Sequence, residues 1–325
     1  MEGIEELFKE RLVDTTEGHF TCSRGVKLFT RTWTPSKQKP KALVCILHGF
    51  GSNISWLAQK TALLFTDAGY AVAGLDAQGF GRSDGLDGYI PDFDHLVSDA
   101  REYFGTVRKL DRFQELPAFL YGESMGGASA LLLSLDEPGE WAGAILSAPM
   151  VKILDKYRPP WIVEQLGLLL VHVIPTWPIV PVRNRVDNSF RDPAKCELAK
   201  KDPYIYVKKP RLKTGQELLR VTLHLQQRLQ EITIPFLVLH GTADTVTDIE
   251  VSQALYEQAA SSDKTIKIYP DGYHALLQGE PEEQRQRIAD DIVTWIDKRA
   301  HAYTHAGGKA ALQDAELVDR VLEDA

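Results

Sequence analysis

The sequence has little of what marks several protein classes. Its three cysteines, Cys22, Cys45 and Cys196, are odd in number and scattered over 325 residues. That pattern argues against a disulfide framework or a zinc site and fits a reducing compartment. Long Lys/Arg runs are missing, and 37 basic against 45 acidic residues leave a net charge of −8, so no nucleic-acid partner is expected. Met1–Asp14 is charged and lacks an apolar h-region, so no secretory signal is read there. Long apolar runs are scarce too. Gln165–Val182 carries no formal charge, but Pro175, Pro178 and Pro181 would break a spanning helix, so it reads as a buried or interfacial hairpin. The expected location is cytoplasmic, with peripheral membrane contact left open.

What is present is globular: 44% hydrophobic and 25% charged residues, enough chain to bury a core without staples. Strand-like runs recur at Lys27–Trp33, Ala42–Leu47, Tyr70–Leu75, Ala118–Tyr121, Gly143–Leu146, Phe236–Leu239 and Thr265–Tyr269. Helix-length segments such as Trp56–Asp67, Phe93–Leu110 and Val251–Ala260 lie between them. This alternation predicts an α/β fold, a mostly parallel sheet with helices on both faces. From about Val151 to Gln230 the alternation stops, which reads as an insertion over the strand ends. The expected organisation is a helical N-terminal extension over 1–19, a core over 20–150 and 231–299, a mainly helical cap over 151–230, and a tail over 300–325 to which no function is assigned.

The sharpest chemical signal is Gly122-Glu123-Ser124-Met125-Gly126-Gly127, between a short apolar strand and a helix start rich in small residues. A nucleophile elbow needs that context: serine in a strained strand-to-helix turn, with glycines letting strand and helix approach. Serine needs a positioned base, and the order serine, acid, histidine says where to look. Asp244 follows Phe236–Leu239, and His274 follows Thr265–Tyr269, both in loops past strand ends. Asp244 has a bland reading as a helix cap, and Asp248 is its neighbour in competition. His240 reads as loop-stabilising and His48 as supporting. An oxyanion hole is expected from the backbone N–H groups of Met125 and of Phe50, in the His48-Gly49-Phe50-Gly51 loop. Asp76–Gly85 has no phosphate-loop spacing and reads as structural support for the oxyanion side.

These residues resemble, in order and wording, the monoacylglycerol lipase-like α/β-hydrolases. Glu123 before the serine, Ser55-Trp56 and Gly279-Glu280-Pro281 are most similar to the plant branch that includes lysophospholipases and caffeoyl shikimate esterases. The resemblance spans about Phe20 to Ile296 and departs at Phe80, where many relatives have histidine. It implies the α/β-hydrolase fold with eight strands, and Ser124, Asp244 and His274 as nucleophile, orienting acid and base. It further implies ester hydrolysis through an acyl-enzyme, with no metal or organic cofactor. The expected partner is a small ester or lipid substrate. Oligomeric state is left open.

The apolar residues of the insertion, with Trp161, Leu166, Leu169, Leu170 and Trp177 as expected substrate contacts, read as an acyl tunnel or a membrane-resting face. Lys152, Lys156, Arg158, Arg183 and Arg185 would form a basic rim. Three functions are carried: a monoacylglycerol lipase or lysophospholipase-like esterase, a caffeoyl shikimate-type esterase, and a non-catalytic ligand receptor on a hydrolase scaffold.

Overall fold

The computed structural model describes residues 3–152, 161–181 and 185–305. Among these, eight strands form one sheet: β1 (Val13–Thr21), β2 (Lys27–Pro35), β3 (Leu43–Leu47), β4 (Ala71–Leu75), β5 (Ala118–Glu123), β6 (Gly143–Ser147), β7 (Phe236–Gly241) and β8 (Lys264–Tyr269). Their spatial order is β1-β2-β4-β3-β5-β6-β7-β8. Both pairings of β2, to β1 and to β4, are antiparallel; every other pair is parallel. This is the α/β-hydrolase fold, with the sheet and helices expected.

Side-chain alternation divides the core in two. Leu43, Cys45 and Leu47 of β3, with Ala118 and Leu120 of β5, face α3 (Phe93–Arg108) and α4 (Met125–Asp136). Val44 and Ile46, with Phe119 and Tyr121, face α2 (Ala58–Asp67) and a long C-terminal helix over Glu282–His305. Burial on both faces is why β3 to β6 read as continuous apolar runs. The chain leaves β3 toward β4 on one side and returns to β5 on the other. Such a reversal opens a crevice beyond the strand ends, and the loops after β3 and β5 both reach it.

Among the described residues of 1–19, expected to be helical, only α1 (Ile4–Glu10) is a helix, and Val13–Thr21 form β1 instead. Its Thr-rich alternation suits a half-exposed edge strand, stitched along its length to β2. Between β6 and β7 lie α5 (Trp161–Leu170), α6 (Arg185–Ser189), α7 (Pro193–Lys200) and α8 (Leu212–Gln227). The last of these roots the segment, since Val221 and Leu225 join the core. After β7 come α9 (Ile249–Gln258) and, past β8, α10 (Leu276–Gly279) and α11 (Glu282–His305). The expected tail over 300–325 begins inside α11; residues 306–325 lie outside the described ones.

Candidate active site

Ser124 joins β5 to α4 with φ 54 and ψ −114. A non-glycine residue held there costs on the order of 1–3 kcal/mol and persists only where its surroundings dictate it. Here its N–H donates to the Ser147 carbonyl at 2.9 Å, and its own carbonyl accepts from Gly127 and Met150 at 2.9 Å each. A Cβ on Gly122 would lie 2.4 Å from the Gly126 carbonyl oxygen, and one on Gly126 2.0 Å from that of Leu47. Only glycine permits that approach.

β7 and β8 are neighbours, with Gly241 opposite Tyr269, so the loops that follow them meet. His274 Nδ1 lies 2.7 Å from Asp244 Oδ2. The acid is fully buried and well supplied with donors: Oδ1 accepts the N–H groups of Val246 at 2.7 Å and Thr247 at 3.0 Å, and Oδ2 accepts the Thr247 hydroxyl at 2.8 Å. His240 Nε2 stands 3.3 Å from the same oxygen. Burial pushes the Asp244 carboxyl up, but the His274 charge and the hydrogen bonds from His240 and His274 outweigh it and hold the group well below the usual carboxylate range. An ionised acid at Nδ1 holds the proton there and leaves Nε2 free of it. Asp248, the competitor, instead caps α9 by accepting the Glu250 N–H at 3.1 Å.

The loop after β3 is held by two buried groups. Ala77 N–H donates to His48 Nε2 at 3.0 Å, so Nδ1 carries the hydrogen and donates to the Gly49 carbonyl at 2.8 Å. Burial lowers the His48 pKa to about 4 and keeps the ring neutral. Asp76 accepts the Ile54 N–H at 2.7 Å and the Arg82 N–H at 2.8 Å, tying this loop to the one after β4. Burial pushes Asp76 up to about 7 despite those two donors. Phe80 stacks edge-on against both His48 and Phe50, with ring centroids 5.8 and 5.3 Å apart. Phe80 thus wedges the loop after β3.

A cavity of about 730 Å3 opens over these loops, and Ser124, His274, Phe50 and Met125 all line it. Met125 is the first residue of α4, and an N–H at that position has no partner within its helix. None of the five expected substrate contacts lines the cavity. Trp161, Leu166, Leu169, Leu170 and Trp177 are exposed, Trp161 at 71% and Leu169 at 68%. The reason is tertiary: α5 packs toward α8 near Gly167 and buries no side chain. Met150, Val186, Phe190, Ile205, Tyr206 and Leu218 provide the apolar wall instead. Of the basic rim, Lys152 lines the cavity; Lys156, Arg158, Arg183 and the Arg185 side chain lie outside the described residues.

Two supporting contacts escaped sequence reasoning. Thr247 touches Asp244, the Ala148 carbonyl at 3.2 Å and His274 Nδ1 at 3.2 Å, though its signal was only a hydroxyl three residues past the acid. Gln278 donates to Glu123 at 2.9 Å across 155 residues, a pairing with no local signature.

Sheet order, elbow and crevice make this an α/β-hydrolase. The sequence model of the Hydrolase_4 family, described as "Serine aminopeptidase, S33", matches residues 38–282, and the chain belongs to that family. It is similar to the caffeoylshikimate esterase of Arabidopsis thaliana, 39% identical over 308 residues covering 94% of this chain and 92% of the relative. It is also similar to the human monoglyceride lipase, 31% identical over 281 residues covering 86% and 90%. A solved monoglyceride lipase from Saccharomyces cerevisiae, bound to a substrate analog, superposes with a TM-score of 0.76 at 20% identity over 88% of this chain and 95% of that one, a likeness of fold. The chain is a serine hydrolase with esterase and lipase homologues.

Proposed function

We propose that the enzyme cleaves carboxylic esters through an acyl-enzyme on Ser124, with His274 as base, Asp244 as its orienting acid, and the N–H groups of Phe50 and Met125 as oxyanion donors. The observation that carries this reading is the His274–Asp244 contact of 2.7 Å at the wall of the cavity that Ser124 also lines. The Ser124 oxygen attacks the ester carbonyl while His274 Nε2 takes its proton; that proton then goes to the departing alcohol, and water repeats the cycle on the acyl group. The ester is a monoacylglycerol or lysophospholipid, its acyl chain against Met150, Val186, Phe190 and Leu218. A hydroxycinnamoyl ester is the second reading, favoured by the 39% identity to the Arabidopsis esterase. The segment between β6 and β7 acts as a cap, and the exposed apolar face of α5, with Val173 and Trp177 beside it, suits contact with a lipid surface.

Comparing kcat/KM for a monoacylglycerol, a lysophospholipid and a caffeoyl shikimate ester tests the substrate. Preference for a lipid ester supports the first reading; a shikimate preference of roughly tenfold, about 1.4 kcal/mol at the transition state, replaces it with the second. Absence of both turnover and labelling by a fluorophosphonate would leave only the ligand-receptor alternative.

A further inference from the structure

A second, smaller space of about 60 Å3 lies behind the nucleophile elbow. Ser52, Leu57, Glu123, Phe190 and Ala275 border both it and the main cavity, so the two adjoin along one wall. Its far side is polar. Gln278 Nε2 donates to Glu123 Oε2 and to Thr61 Oγ1, both at 2.9 Å. Gln278 Oε1 and the Tyr121 hydroxyl are buried without a hydrogen-bond partner, in residues only 8% and 1% exposed. The Tyr121 hydroxyl stands near Gln278 and near Ser147, whose Oγ is likewise buried without a partner. Each such atom costs roughly 1–3 kcal/mol if left unmet, and a water between them would meet both. The His48 nitrogens are already engaged by Ala77 and Gly49.

Water fits this chamber. A molecule needs on the order of 10–15 Å3 of such space and about two to four polar partners, so a small cluster is accommodated. We infer that the chamber holds ordered water anchored by Glu123, Tyr121 and Gln278, and that it delivers the molecule that hydrolyses the acyl-enzyme. The inference rests on the acyl-enzyme reading above. In that step the water oxygen bonds to the acyl carbon and its proton passes to His274 Nε2; the bond from that carbon to Ser124 Oγ breaks, and the same proton returns to Ser124. Glu123 is a positioning residue here: it adjoins the nucleophile in sequence and borders both spaces, but acts through water.

The two half-reactions separate with an aryl N-methylcarbamate. Inactivation reports transfer to Ser124; recovery after removal of excess reagent reports attack by water. For Glu123→Gln and Gln278→Leu, recovery is expected to slow roughly tenfold while inactivation stays within about twofold, with a smaller change in the same direction for Tyr121→Phe, which removes one hydroxyl and guards against misfolding in the others. Parallel slowing of both half-reactions, or no change in recovery, overturns the inference. So does a high-resolution crystal structure with the chamber dry. Failure of the wild-type enzyme to be inactivated at all would instead strike at the acyl-enzyme itself.

Discussion

Helix α4 buries every residue from Met125 to Ser134, whereas α5, with the sequence WIVEQLGLLL, buries none. The two are comparably apolar to the eye, yet one is pressed between the sheet and α3 and the other turns its leucines outward. Apolar sequence states that a surface must be covered. Whether the protein itself covers it depends on what the rest of the chain brings alongside. In α4 burial serves stability and holds the Ser124 elbow in its strained turn. The exposure of α5 serves neither, which is why a lipid surface is the cover proposed for it.

The contrast can be broken at its strongest point first. Ser124→Ala, at the head of α4, is expected to lower kcat by on the order of 10^4–10^6-fold while leaving the melting transition near that of wild type; a variant retaining turnover removes Ser124 from the chemistry. Leu131→Ala, fully buried in the same helix, is expected to cost about 2–5 kcal/mol in urea unfolding. Less than 1 kcal/mol would mean α4 is not the packed member of the pair.

His48 gives a smaller, pH-dependent effect. Its pKa falls from 6.5 to about 4 on folding, so the unfolded chain binds the extra proton between those values. Stability contributed by the neutral ring is present above pH 6.5 and is lost as pH falls toward 4, by roughly 2 kcal/mol at pH 5. Unfolding free energies at pH 7 and pH 5 should diverge by that amount more in the wild type than in His48→Gln; identical pH slopes would show the ring to be titrating normally. The smallest stability change is expected on α5. Leu166→Gln, Leu169→Gln and Leu170→Gln keep helix propensity and should each shift stability by less than about 0.5 kcal/mol, while together lowering co-sedimentation with lipid vesicles. Unchanged vesicle binding, or strong destabilisation, would place α5 in the same category as α4.

The sequence by itself determined the fold and the candidate triad. Ser124 and Asp244 each stand just past a buried strand and His274 past the half-exposed edge strand β8, and the glycines of the elbow and the continuous apolar runs of β3 to β6 are local requirements written in the chain. The edge strand β1 was not legible, because one face meets solvent and its apolar signal is thin. The cavity wall was settled only by tertiary structure. Val186, Phe190, Ile205 and Leu218 reach the site because α8 roots the segment between β6 and β7 on the core, and the Gln278–Glu123 pair forms across 155 residues. Contacts of that kind carry no periodicity or spacing; they exist only once distant parts of the chain have packed together.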